Sequence, residues 1–163
     1  MSMFCYQCEQ RAKGGCKVQG VCGKSSEVAA LQDLLMYQLK AIGFLAYGAE
    51  KSGKRDAEID RFLIEGLFTT VTNVDFDPER LSTIITSADE FVQKAKELYL
   101  EAGHGLNNVP SAIAFKPART LHERIIQGQD LGIMSDPALN EDIRSLRDRI
   151  RQSYPGYTAE PTT

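Results

Sequence analysis

The sequence has no tryptophan, only two histidines, and no cysteine after residue 22. No apolar stretch approaches the roughly 18 residues that a membrane-spanning helix needs. The N-terminus lacks the basic-then-apolar pattern of a secretory signal, because Cys5 and Cys8 arrive almost at once and Arg11 and Lys13 follow. These absences point to a cytoplasmic protein with no membrane partner. No strand alternation is convincing and nothing repeats at a fixed period. No nucleophile–base pair, phosphate loop or zinc-protease motif is found. With a formal net charge of −3 the chain has no broad electrostatic footprint for nucleic acid.

What the sequence has is concentrated at its start. The stretch MFCYQCEQRAKGGCKVQGVCGK holds all four cysteines, Cys5, Cys8, Cys16 and Cys22. It also carries Arg11, Lys13, Lys17 and Lys24 against Glu9 alone, a basic collar on an acidic chain. At 163 residues, one core is expected. We divide the chain into a cysteine loop (1–24), a helical bundle in the same domain (25–154) and a frayed tail (155–163).

The fold class is all-α. Ser25 or Ser26 can N-cap a long helix whose apolar residues include Val28, Leu31, Leu35, Ile42 and Leu45, with a stop at Lys51-Ser52-Gly53. A shorter helix carries Ile59, Phe62, Leu63, Leu67 and Phe68. Asp77-Pro78 reads as N-cap and first-turn proline of a third helix reaching Gly103. Residues 103–117 read as a crossing loop with a short extended piece at 113–115, followed by a short helix from Pro117 to about Gly128. A last helix starts at Asp136-Pro137, with Ile143, Leu146 and Ile150 as its thin apolar stripe. His104, between two glycines, and His122, beside Glu123, both read as solvent-exposed. Asp56, Glu58 and Asp60 read as helix-start charges.

Three chemistries fit Cys-x2-Cys-x7-Cys-x5-Cys. A disulfide framework suits secreted chains rather than a reducing cytosol. A zinc knuckle favours two facing two-residue spacings, from which the five-residue gap departs. An iron–sulfur cluster suits four thiolates on an irregular loop, where Gly14, Gly15, Gly20 and Gly23 let the backbone come close and the lysines offset cluster charge. Phe4, Tyr6 and Val21 would shield such a cluster from water.

The segments FCYQCEQ, GVCGK, EVAALQDLLMYQLKAIGFLA, RFLIEGLFTTVTNVDFD and KPARTLHERIIQGQDLGI resemble the N-terminal region of the hybrid cluster proteins. This family, also called prismane proteins or hydroxylamine reductases, is related to the nickel carbon monoxide dehydrogenases. The resemblance implies that Cys5, Cys8, Cys16 and Cys22 bind one [4Fe–4S] cluster. It also implies that the family's second, hybrid centre, held by later domains through one His, two Glu and four more Cys, cannot be assembled from this chain alone. The polar ending after Arg147 reads as the terminus of a stand-alone protein.

The expected function is single-electron transfer with an acidic redox partner. The alternatives are an oxygen- or nitric-oxide-responsive regulator and the subunit through which electrons enter a split hydroxylamine reductase-like enzyme. Self-association into a homo-oligomer is expected in each case.

Overall fold

The computed structural model describes residues 3–131, except 6, 9, 11–14, 72 and 108. The expected last helix, its stripe and the tail lie outside the described residues. Four helices and one 3-10 turn follow the cysteine loop: α1 (Ser26–Lys51), α2 (Ala57–Thr69), α3 (Pro78–Glu101), the turn Ser111–Ile113 and α4 (Leu121–Leu131). Among the described residues there is no strand, only an isolated antiparallel bridge between Cys5 and Cys16.

The starts of the helices follow from their caps. The Ser25 hydroxyl accepts from Val28 N–H, and the carboxylates of Asp56 and Asp77 accept from the first-turn N–H groups of α2 and α3. These bonds satisfy donors that a helix start leaves open.

α1 is the axle of the fold and packs against α2, α3, α4 and the 3-10 turn. Leu31, Leu34, Leu35, Leu39, Ile42 and Leu45 are almost fully buried, each contributing about 1.5–3 kcal/mol on removal from water. By length and composition α1 is apolar enough to cross a membrane, contrary to the sequence reading. However, 72% of its apolar window is buried inside the protein. Its surroundings are therefore other helices.

Two glutamines interrupt this buried face and set its neighbours in place. Gln32 Nε2 donates to Asp75 O at 3.0 Å, holding the α2–α3 connection, and Gln38 Nε2 donates to Ile85 O at 3.2 Å, holding α3. Phe62 of α2 stacks on Phe91 of α3, with ring centroids 4.2 Å apart.

Three local expectations are corrected. Residues 113–115 are not extended, because Ser111–Ile113 wind into a 3-10 turn after Pro110 that buries Ala112 and Ile113 beside α1. α4 begins at Leu121 rather than Pro117 and runs past Gly128. The reason is a reciprocal capping box: Glu123 N–H donates to Thr120 Oγ1, while Glu123 Oε2 accepts from Thr120 N–H and hydroxyl. These bonds hold the Glu123 carboxyl below its usual pKa. His104 is half-buried, stacked on Tyr99 with centroids 4.5 Å apart, and its Nε2 lies 2.9 Å from Ser52 Oγ and 3.0 Å from Gly48 O. His122 is exposed, as expected.

The approach of α4 to α1 has no spare room. A Cβ on Gly128 would lie 2.0 Å from Ala30 O, whereas one on Gly43 would meet nothing within 4 Å. We predict that Gly128→Ala destabilises the chain by about 1–3 kcal/mol through overpacking. Gly43→Ala, at an open mid-helix position, should stabilise it by about 0.5–1 kcal/mol. Denaturant midpoints for the two variants and wild type provide the test, and equal midpoints would contradict this account of the α1–α4 contact.

Candidate metal centre

The cysteine loop is fastened to itself before it meets the bundle. Cys5 N–H donates to Cys16 O at 3.1 Å and Cys16 N–H donates to Cys5 O at 3.0 Å, while Met3 N–H donates to Lys17 O at 2.9 Å. A reciprocally bonded antiparallel pair projects both side chains to the same face, so two thiols eleven positions apart in the loop become neighbours. Met3, Cys16 and Ala29, with Cys5 against them, form a small core at the first turns of α1, distinct from the main core of the bundle.

A second turn closes the loop. Gly20 N–H donates to Lys24 O at 2.8 Å and Gly23 N–H donates to Gly20 O at 2.9 Å. Gly23 adopts φ +90°, a conformation natural to glycine. A Cβ on Gly20 would come within 3.0 Å of Lys24 Cβ and 3.1 Å of Cys22 Sγ. This turn sets the direction in which Lys24 leaves the backbone.

Lys24 does not join an exposed collar, as the sequence reading has it. It is 2% exposed, and its Nζ lies 3.8 Å from Cys5 Sγ and 3.1 Å from Gln7 Oε1. The chain position explains the burial. Lys24 immediately precedes the N-cap Ser25, where a side chain folds back over the fourth residue of the helix, here Ala29. Both residues line a small cavity of about 20 Å³ shared with Phe4, Cys5, Gln7 and Asp33. Lys17 is exposed, and Arg11 and Lys13 lie outside the described residues.

Of the expected shielding residues, Phe4 is buried, Val21 is 53% exposed, and Tyr6 lies outside the described residues. Cys16 is buried, while Cys5, Cys8 and Cys22 are half-buried, and none of the four is in a disulfide. The structure brings Cys5 and Cys16 together. Among the described residues, no three Cys, His, Asp or Glu side chains are grouped to hold one ion.

The loop's chemistry nonetheless fits a thiolate-bound centre. An ammonium buried against a thiol and an amide oxygen, at the positive end of the α1 dipole, is costly unless negative charge lies close by. Asp33, which lines the same cavity, supplies part of that charge, and deprotonated cysteines would add to it. In the metal-free chain, burial raises the Cys5 thiol above its usual pKa, and the nearby Lys24 opposes the rise only in part. Asp56 and Asp60 take no part: Asp56 caps α2 and pairs with Lys94, and Asp60 pairs with Arg55.

Residues 3–157 match the Prismane/CO dehydrogenase family. The chain is 44% identical over 158 residues to a hydroxylamine reductase of Syntrophobacter fumaroxidans, covering 96% of this chain and 29% of that protein. A hydroxylamine reductase of Geobacter sulfurreducens is 47% identical over 166 residues, covering 98% and 30%. One of Methanocella arvoryzae is 45% identical over 147 residues, covering 89% and 27%. The chain thus spans less than a third of the length of these relatives, aligning with their N-terminal portion.

For the metal-free protein we predict that a neutral alkylating reagent modifies Cys5 more slowly near pH 8 than it modifies the cysteine of an unstructured reference peptide. Because the Cys5 pKa is raised, its rate should still be climbing above pH 9. Peptide mass mapping over a pH series reads this directly; a Cys5 rate equal to that of the reference peptide throughout would contradict the burial of its thiol.

Proposed function

The chain belongs to the prismane/CO dehydrogenase family, and on that premise we propose that it is an iron–sulfur electron-transfer module holding one [4Fe–4S] cluster through Cys5, Cys8, Cys16 and Cys22. The observation that carries this reading is the reciprocal pairing of Cys5 with Cys16, which gathers half of the proposed ligand set on one face against α1. A cluster bound there would accept and release one electron at a time.

The chain's residues have separate parts in this role. The two cysteines of the bridge fix one side of the site. The Gly20–Gly23 turn leads into Lys24, whose ammonium lies against Cys5, and the buried Phe4 would keep water from the bridge side of the site. Lys17, Val18 and Val21 are exposed beside the cysteines and offer a small patch to an acidic redox partner. Homo-oligomerisation and a cytoplasmic location belong to the same proposal.

One observation favours the module as an electron entrance to a larger enzyme rather than a free carrier. Ile64 (68% exposed), Phe68 (62%) and Val71 (48%) follow one another at helical spacing along α2 and beyond its end, outside the core. An apolar strip of this kind marks a surface that meets other protein. Hydroxylamine reduction, named for the relatives, is proposed only for an assembly that supplies the remaining ligands, since this chain has no fifth cysteine.

Anaerobically reconstituted protein should contain about four irons and four sulfides per chain, with a paramagnetic signal after dithionite reduction. Cys16→Ala should lose most of that iron while keeping the helical circular-dichroism signal. Zinc without iron after reconstitution would overturn the redox reading.

A further inference from the structure

We infer that Lys24 sets the reduction potential of the centre held by the cysteine loop, its buried ammonium raising the potential above that of an otherwise identical site with a neutral side chain. The inference rests on the cluster reading above and goes beyond it by assigning the control to one residue.

Three observations lead to Lys24 rather than to the loop's basic charge as a whole. Its Nζ is 3.8 Å from Cys5 Sγ, close enough for a charge-assisted N–H···S contact, and Gln7 Oε1 at 3.1 Å steadies it there. It is 2% exposed, so water and salt screen its charge far less than that of the exposed Lys17. Finally, its backbone is fixed on both sides: the turn bond from Gly20 N–H to Lys24 O precedes it, and the Ser25 cap follows. A side chain held so firmly acts as a fixed charge.

The direction follows from the charge balance. A four-thiolate [4Fe–4S] centre changes from about −2 to about −3 on taking up one electron. Lys24 therefore stabilises the reduced form more than the oxidised one, and donation to a ligand sulfur acts in the same sense. Asp33 lines the same cavity and opposes this effect, as a fixed negative charge would. Methionine preserves an apolar stem beside the cavity that Lys24 and Ala29 line while deleting the charge, so it separates the electrostatic role from packing.

The experiment measures iron and sulfide first and midpoint potential second, on the reconstituted full chain and on Lys24→Met, Lys24→Arg and Lys17→Met. With equal iron, Lys24→Met should lower the ratio of reduced to oxidised centre at the wild-type midpoint about tenfold, a shift of about 59 mV for one electron. Lys24→Arg should stay near wild type. The difference for Lys24→Met should persist in high salt, whereas any shift for Lys17→Met should shrink. A Lys24→Met protein with full iron and an unchanged potential overturns the inference while leaving the cluster reading intact. Wild-type protein that takes up no iron overturns both. If Lys24→Met assembles no centre, Gln7→Ala, which removes the amide that steadies the ammonium, replaces it, with the same expected direction and the same overturning result.

Discussion

Everything in this structure depends on covering α1. Its buried residues extend around so much of its circumference that no single neighbour could cover them. α2, α3, α4 and the 3-10 turn each take a share. Apolar burial alone would leave these neighbours free to slide, since it has no direction. Gln32 and Gln38 remove that freedom by donating to particular backbone carbonyls, and Arg124 does the same between α4 and α3. Arg124 is 8% exposed, and its guanidinium donates to Ala118 O, Ser82 O and Ser82 Oγ. Burial pulls its pKa below the ordinary arginine value, so this anchoring contact has a desolvation cost.

The helices were legible because their signals are local. Ser25, Asp56 and Asp77-Pro78 state where α1, α2 and α3 begin, and the spacing of apolar residues states which face turns inward. α4 begins four residues after Pro117, a familiar opening, because the Thr120–Glu123 box sets the boundary. The 3-10 turn was missed for a different reason: Ala112 and Ile113 earn their burial from α1, some seventy residues earlier in the chain.

The cysteine loop shows the same division. Spacing singles out Cys5, Cys8, Cys16 and Cys22 as candidates, but it does not say that Cys5 and Cys16 pair across a bridge, since a backbone ladder is not encoded in ligand intervals. Lys24 was read with Arg11, Lys13 and Lys17 as one basic collar, because charge counts carry no information on depth. Its place just before the α1 N-cap was the available signal, and it pointed inward. His104 was misread likewise: two flanking glycines suggested exposure, but a ring across from it, Tyr99, and the carbonyl of Gly48 decided the matter.

The loop and the bundle have separate cores, joined where Ala29 and its neighbours begin α1. Cooperative unfolding follows shared burial, and here little is shared. The small core of Met3, Cys16 and Ala29 can therefore open and close while the leucines of α1 stay packed. The bundle is then a standing template against which the loop can close again, without the chain returning to its folding pathway.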